Sequence, residues 1–369
     1  MNTSERMREC QRGVGLIEVM ISIIIGMLMV LVIYQIYEVS EGQKRTITAG
    51  SDAQQNASYG LYALGRDLSM AGNGVASSAP ALSGCPFNAV TPGPWVLPVP
   101  VVINTGASGN DPDTITVFYG GSSSLSTPVQ FRQTSTTAQA YVVPGPVGFS
   151  PNDVIVAVQG TACTVSTIDA GPGSVVVNPA TGVATITHTP VPGSPAATYA
   201  AVSASLVNLG PAKSMGRIAY TVDTGTPTAT NALRTQNQLP TAGPVNPVIS
   251  EVVNLKAQYG LDTTVPPDGI IDTWEDSNGA WWQGFIALAP ADPQRLIQLR
   301  QLLAVRIAIV TRSAQYEKDS VTLGPLTMFD APLPVSMTLN AACPPCDQHY
   351  RYKVLETIVP MRNALWNTQ

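Results

Sequence analysis

A single glutamate, Glu18, lies inside a strongly apolar run near the N-terminus. The run extends from Val14 to Tyr37, which is long enough to cross a bilayer as a helix because that takes about 20 residues. An ionised carboxylate at mid-helix in a membrane costs about 2.5–3.5 kcal/mol, so it is normally paired. A cationic partner for Glu18 is therefore expected, unless lipid headgroups at the membrane edge solvate its carboxylate.

The residues that flank this run indicate its orientation. Arg6, Arg8 and Arg12 precede it, and Gly13 completes a basic-to-glycine junction immediately before the run. Because positive flanks stay cytoplasmic, the C-terminal bulk of the chain is expected outside the cytoplasm. No small-residue cleavage site of the A-x-A type follows Tyr34, so the segment is not typical of an ordinary secretory signal.

An acidic loop in the second half of the chain has some of the oxygen ligands of a calcium site. Aligned with an EF-hand loop, Asp268 falls at position five, Asp272 at nine and Glu275 at twelve. Thr264 and Pro266 occupy positions one and three, where carboxylates or amides are expected. The pattern favours an Asp-Gly turn in a hairpin, with a degenerate calcium site as the alternative.

Four cysteines lie outside the N-terminal segment: Cys85, Cys163, Cys343 and Cys346. An even number in an exported domain predicts two disulfides, for which three pairings exist; free thiols are the alternative. Cys343 and Cys346 also have the C-x-x-C spacing of thiol oxidoreductases, and His349 follows them. Those enzymes place the motif at a helix start after a strand. Here it lies among prolines between β-like segments, without an evident fourth zinc ligand, so a structural disulfide is favoured.

The remaining composition argues against catalysis and nucleic-acid binding. The chain has only two histidines, His188 and His349, and it lacks a phosphate-binding glycine motif in a strand–helix setting. Its net charge is −5 over 369 residues, so it has no basic excess with which to neutralise phosphates. We therefore predict that the protein is not an enzyme and does not bind nucleic acid.

A long helix and a β-rich region are predicted to position these residues. One apolar stripe has helical spacing and comprises Ala57, Leu61, Leu64 and Leu68. It predicts a helix that packs on its own head, ends near Gly72 and leaves Arg66 and Asp67 off the stripe. The β-prone runs are Thr114–Tyr119, Val129–Arg132, Val154–Val158, Ser174–Val177, Ile218–Val222 and Ala304–Thr311. Frequent Gly and Pro between them predict antiparallel strands with long loops.

The N-terminal junction resembles the processing site of type IV prepilins. Its sequence is Arg12-Gly13-Val14-Gly15-Leu16-Ile17-Glu18, and the family pattern is a glycine, an apolar residue, and a glutamate at position five after the cut. The resemblance implies that prepilin peptidase cuts after Gly13 and N-methylates Val14. It also implies that Glu18 sets the axial register of packed subunits by meeting the amine of a neighbour. Val14 replaces the usual phenylalanine, and Gly15 replaces the usual Ser or Thr.

A second resemblance is to the minor pilin family called PilW. The run Leu64-Gly65-Arg66-Asp67-Leu68-Ser69-Met70-Ala71-Gly72, with Cys85 after it, is similar to the R-D-[IL]-x-M-A-G helix end of that family. Tyr259-Gly260 before the acidic loop, Arg306-Ile307, and the terminal Arg362-Asn363 also resemble the PilW pattern.

These resemblances imply an α+β, type IV pilin-like fold, in which a long N-terminal helix packs on an elaborated antiparallel β-sheet head. The implied divisions are a leader at 1–13, a transmembrane part of the helix at 14–39, a periplasmic part at 40–72, and a β-rich head at 73–369. The implied location is the bacterial inner membrane, crossed once with the head in the periplasm, and then the pilus filament.

The implied function is that of a minor pilin in assembly initiation or in the tip complex, with links to twitching motility and adhesion. The implied partners are prepilin peptidase, other minor pilins, the major pilin and the inner-membrane assembly platform. One alternative is a minor pseudopilin of a type II secretion system, although those heads are generally smaller. Another is a tip adhesin or DNA-uptake subunit, for which Trp274, Trp281 and Trp282 are the sequence hint.

Overall fold

The computed structural model describes residues 15–74, 99–122, 127–160, 162–192, 194–224, 231–239, 243–288, 292–340 and 346–365. It divides into two compact units, Met1–Ser51 and Asp52–Gln369. The helices are α1 Leu16–Met70, α2 Ala280–Ala287, α3 Pro293–Gln301 and α4 Arg362–Leu365.

The second unit is rich in strands. They are β1 Val101–Asn104, β2 Thr114–Tyr119, β3 Val129–Gln130, β4 Ser135–Thr136, β5 Tyr141–Val143, β6 Asp153–Gln159, β7 Ala162–Ile168, β8 Val175–Val177, β9 Ala184–Ile186, β10 His188–Pro190, β11 Thr198–Tyr199, β12 Ser205–Pro211, β13 Gly216–Asp223, β14 Ala232–Asn237, β15 Asn246–Ile249, β16 Val252–Leu261, β17 Thr273–Glu275, β18 Leu302–Arg312, β19 Leu326–Met328, β20 Val335–Met337 and β21 Tyr352–Pro360.

These strands form antiparallel sheets. The two five-stranded sheets have the orders β1-β2-β13-β14-β15 and β10-β7-β6-β12-β3, and a four-stranded sheet has the order β17-β16-β18-β21. Smaller groups are β5-β9-β8, β11-β4 and β19-β20. The predicted α+β class, with a long N-terminal helix and a β-rich head, is confirmed.

The C-terminal part of α1 packs into the main core of the second unit. Ala53, Ala57, Leu64 and Leu68 are buried there, and Leu64 and Leu68 join strands of two sheets in one apolar cluster. Gly60 permits close approach, because a Cβ at this position would lie 2.6 Å from Ile249 Cδ1. The predicted helical stripe is therefore the surface by which the helix attaches to the head, except that Leu61 is only half-buried.

The central strands β16 and β18 are buried along almost their whole length, because both faces of their sheet are covered. One face contributes Leu255, Ile307 and Ile309 to the core that also contains α1. The other face contributes Val253 and Val310 to a separate cluster with the β19–β20 hairpin. This double burial explains the nearly continuous apolar sequence of β18.

A buried ion pair fixes β16 to the segment before β2. Lys256 Nζ lies 2.9 Å from Asp113 Oδ1, and their side chains are 3% and 2% exposed. Lys256 also donates hydrogen bonds to the carbonyls of Ser108 and Asp111 at 3.0 and 2.6 Å. Burial raises the pKa of Asp113, an effect that the Lys256 ammonium opposes.

We expect Asp113→Asn to lower the free energy of unfolding by about 3–5 kcal/mol, because it leaves the Lys256 charge buried without a counterion. The matched control is Glu317→Gln, which removes the partner of Arg351, whose side chain is 44% exposed, and it should cost less than about 1 kcal/mol. Denaturant unfolding of the full chain in detergent measures both values. Equal losses in the two variants would contradict this account of the pair.

Candidate functional site

The N-terminal end of α1 carries the residues that the prepilin pattern singles out. Gly13 and Val14 lie outside the described residues, which begin at Gly15. The Gly15 carbonyl accepts hydrogen bonds from the N–H groups of Glu18 and Val19 at 2.9 and 3.2 Å, and these bonds start the helix. Glu18 thus lies in the first turn, where its negative charge is favourable with respect to the helix dipole.

The first turns of α1 present an apolar surface. From Leu16 to Val39 the large apolar side chains are between 46% and 80% exposed. The most apolar 18-residue window of α1 has a mean hydropathy of 2.9, and 0% of it is buried. Exposed apolar surface on this scale requires lipid or other helices to cover it. Glu18 is exposed within this surface, so its carboxylate is open to a group from outside the chain.

The Arg66-Asp67 pair lies where α1 attaches to the head. Arg66 projects outward with a side chain that is 64% exposed, as predicted. The prediction that Asp67 lies off the buried stripe is wrong, because the residue is only 4% exposed. The Tyr220 hydroxyl donates a 2.7 Å hydrogen bond to Asp67 Oδ2, and Arg66 Nη2 lies 3.2 Å from Asp67 Oδ1. Burial, together with the Asp67 carboxylate, raises the pKa of Tyr220.

The C-terminal Asn363 caps the end of α1. Its Nδ2 donates hydrogen bonds to the carbonyls of Met70 and Ala71 at 3.2 and 2.9 Å. Gly72 then turns the chain with a φ of 76°, a conformation in which glycine is favoured. The sequence motifs include both Ala71 and Asn363, but these residues lie 292 positions apart in the chain. Only the folded structure shows that they are in contact.

The carboxylates of the acidic loop accept hydrogen bonds from groups of the same chain. Asp272 Oδ2 accepts hydrogen bonds from the Thr263 N–H at 2.7 Å and from the Thr264 hydroxyl at 3.0 Å. These bonds, the one from the Thr263 backbone first, lower the pKa of Asp272. Asp268 Oδ1 accepts from the Ile270 N–H at 2.9 Å, in a turn that Gly269 completes with a φ of 79°.

The third carboxylate of the loop accepts a hydrogen bond from a different secondary-structure element. Glu275 Oε2 accepts a 2.9 Å hydrogen bond from the Trp281 N–H at the start of α2. Asp268, Asp272 and Glu275 are therefore not brought together as ligands, and the described part of the chain contains no group of three acidic, His or Cys side chains able to hold a metal ion. The loop has the geometry of an Asp-Gly turn.

The tryptophans proposed as a hint of adhesion do not form an exposed patch. Trp281 and Trp282 are 7% and 8% exposed and belong to the main core. Trp282 stacks on Tyr259, with ring centroids 5.6 Å apart. Trp274 packs beneath the Arg306 guanidinium, 4.7 Å from its ring centroid. These side chains stabilise the head, and they give no support to a ligand-binding surface.

Two of the four cysteines outside the N-terminal segment lie in the described part of the chain. Cys163 and Cys346 are disulfide-bonded, whereas Cys85 and Cys343 lie outside the described residues. His349 Nδ1 lies 2.6 Å from Asp347 Oδ1, so this imidazole is held by a carboxylate of the chain.

Two family models match the chain. The model described as type IV pilus-assembly protein W matches residues 219–363, a region that includes Tyr220, the four-stranded sheet and Asn363. The model described as the prokaryotic N-terminal methylation motif matches residues 8–34, which contain Gly13 and Glu18. Comparisons with curated proteins and with solved structures gave no match. The first match covers Tyr259-Gly260, Arg306-Ile307 and Arg362-Asn363, and the second covers the prepilin-like junction, whereas the Leu64–Gly72 run lies outside both matches.

We expect Tyr220→Phe to destabilise the second unit by about 1–3 kcal/mol, because Asp67 stays buried and loses its hydroxyl donor. Tyr62→Phe is the control, since Tyr62 is 68% exposed and its hydroxyl should contribute less than about 0.5 kcal/mol. Denaturant unfolding of the two variants tests this difference. A Tyr220→Phe protein as stable as the Tyr62→Phe protein would show that the Asp67 contact is unimportant.

Proposed function

We propose that the chain is a minor pilin of the PilW family, and that it helps to initiate the filament or forms part of its tip complex. The observation that carries this proposal is the methylation motif over residues 8–34, joined to a helix whose apolar surface is exposed around Glu18. An apolar surface of this kind can contact lipid while the chain is in the membrane, and it can contact neighbouring helices once the chain is in the filament.

In this proposal, cleavage creates the charged amine that assembly requires. Prepilin peptidase hydrolyses the peptide bond between Gly13 and Val14, which frees the α-amine of Val14 for methylation. In the filament, that amine of one subunit meets the Glu18 carboxylate of another. A charge in apolar surroundings is costly when its partner is missing, so the pair favours one axial register. Incorporation is therefore favoured only after the leader has been removed.

The proposed topology places a leader at 1–13 in the cytoplasm, a membrane-spanning segment at 14–39, a periplasmic part of the helix at 40–72 and the head at 73–369. The proposed partners are prepilin peptidase, other minor pilins, the major pilin and the inner-membrane platform. The match of the head to the PilW family favours a pilus over a type II secretion pseudopilin. The proposed role is that of a structural subunit, because the model that matches residues 219–363 is described as a pilus-assembly protein.

We expect the mature chain to begin at N-methylated Val14 in cells that contain prepilin peptidase, because the Gly13–Val14 bond matches the processing pattern. In cells without the peptidase, the chain should retain residues 1–13. Mass spectrometry of the purified N-terminus measures both. A mature chain that starts at any residue other than Val14 would overturn the proposed processing.

We expect Glu18→Ala to leave cleavage unchanged and to lower incorporation into sheared filaments by at least about tenfold, because the neighbour's amine then lacks its carboxylate. Glu38→Ala is the matched control, since Glu38 is an exposed glutamate of the same helix but lies far from the cut. Quantitative immunoblots of membrane and filament fractions give the result. Normal incorporation of the Glu18 variant would refute the pairing.

A further inference from the structure

The buried pair of Lys256 and Asp113 holds an amine and a carboxyl group in contact away from water. Nζ of Lys256 lies 2.9 Å from Oδ1 of Asp113, and both side chains are almost fully buried. A lysine amine becomes a nucleophile when it loses its extra proton, and a carboxyl group becomes an acyl donor when it gains one. The pair therefore contains the two reactants of an amide bond.

Burial favours the uncharged forms of these two groups, because charge is poorly stabilised away from water. Desolvation is the largest influence on Asp113 and raises the pKa of its carboxyl group, against the opposing effect of the Lys256 ammonium. A proton that passes from Nζ to Oδ1 converts the ion pair into an amine and a carboxylic acid with no change in net charge. The reacting forms are therefore reached within the pair itself.

Two backbone carbonyls orient the amine. Nζ of Lys256 donates hydrogen bonds to the carbonyl of Ser108 at 3.0 Å and to that of Asp111 at 2.6 Å. The third position on Nζ faces the carboxyl group of Asp113. Once the proton in that position has moved to Oδ1, the lone pair of the amine points towards the group that it must attack.

Two backbone donors polarise the carboxyl group of Asp113. The Ala257 N–H donates to Oδ2 at 2.9 Å, and the Gly106 N–H donates to Oδ1 at 2.9 Å. Fixed N–H groups of this kind stabilise the negative charge that develops on an acyl oxygen during nucleophilic attack. Oδ2 is thus the oxygen on which that charge can be held.

The backbone on both sides of the pair is fixed. The Asp113 N–H donates to the Leu255 carbonyl at 2.8 Å, and Asn254 Nδ2 donates to the Gly109 carbonyl at 2.8 Å. Amines and carboxylic acids that are free in water condense poorly, whereas groups held in contact react as if at about 10⁵–10⁸ M. Condensation also replaces two buried charges by a neutral amide, which is less costly to bury.

A cavity adjoins the pair and provides an exit for a released water molecule. Its volume is about 220 Å³, and its lining includes Lys256 and Asp113 together with Asp276 and Asn278. A water molecule takes up about 30 Å³ in the liquid. The cavity is therefore large enough for the small product of condensation to leave the pair.

We propose that Lys256 and Asp113 condense to an intramolecular isopeptide bond, which joins β16 covalently to the segment before β2. Nζ attacks Cγ of Asp113, and the Ala257 N–H stabilises the negative charge on Oδ2. A second proton passes from Nζ to Oδ1, the Cγ–Oδ1 bond breaks, and one water molecule leaves. The third proton stays on the amide nitrogen, so the reaction needs no oxidant, reductant or other reactant.

The bond would connect residues that are 143 positions apart in the chain. Because it is covalent, it would persist after unfolding and would prevent the intervening segment from being extended. The inference concerns the head alone and does not rest on the proposed function. A chain that is not a pilin would still form the bond, and a pilin without the bond would overturn this inference alone.

Peptide mapping by mass spectrometry tests the inference on the unmodified full chain, after reduction, alkylation and digestion with trypsin in denaturant. The sequence places Asp113 in the tryptic peptide 67–132, and cleavage after Lys256 separates 235–256 from 257–295. The bond predicts one branched peptide that contains 67–132 and an uncut 235–295, lighter than their sum by one water molecule. Cleavage after Lys353 is the internal control. Separate 67–132 and 235–256 peptides as the main products would overturn the proposal.

Two substitutions assign the branch to this pair. Lys256→Arg keeps a cation but removes the amine, and Asp113→Ala removes the acyl group; neither variant should yield the branched peptide. Glu317→Gln, which changes the partner of Arg351, should yield as much of it as the unmodified chain. A branch that persists in the Asp113→Ala variant would show that another carboxyl group reacts and would overturn the assignment.

Dependence on folding keeps the test decisive if the variants do not fold. Unmodified chain that is recovered unfolded, directly in guanidinium, should give the separate peptides. After refolding in detergent, the branched peptide should appear and accumulate with time, because only the fold holds the amine against the carboxyl group. Formation of the same branch in chain that has never folded, or its absence from refolded chain, would overturn the proposed reaction.

Discussion

The structure of the head depends on the burial of the C-terminal part of α1 in the core of the second unit. Leu64 and Leu68 are fully buried there, and the absence of a side chain at Gly60 lets the helix approach Ile249 and Ile309. The apolar core itself tolerates many helix positions, because hydrophobic contact is not directional. A single position of this part of the helix therefore requires contacts other than those of the apolar core.

Polar groups at the margin of this core define the attachment. The Asp67–Tyr220 hydrogen bond joins α1 to β13, and Asn363 closes the end of the helix from the C-terminal side of the head. Each of these groups would be costly to bury without its partner, so a shift of the helix by one turn would break both. The Lys256–Asp113 pair has the same effect on β16.

Long apolar elements were predictable from the sequence, whereas contacts between distant residues were not. The predicted strand Thr114–Tyr119 coincides with β2, and Ala304–Thr311 lies within β18. The expected Val129–Arg132 strand is reduced to Val129–Gln130, since only this part pairs with β12. Asp67 was misplaced because its burial depends on the Tyr220 hydroxyl, 153 residues away. Periodicity carries no information about such a partner.

The sequence by itself determined the apolar N-terminal segment, the position of Glu18 within it and the α+β class, because these depend on local composition and spacing. It also determined the match to the N-terminal methylation motif. Only the tertiary structure decided that the carboxylates of the acidic loop accept hydrogen bonds from within the chain, that Trp281 and Trp282 are core residues, and that β21 lies at a sheet edge. The physical reason is that a side chain's role depends on which groups surround it after folding, and most of those groups come from distant parts of the chain.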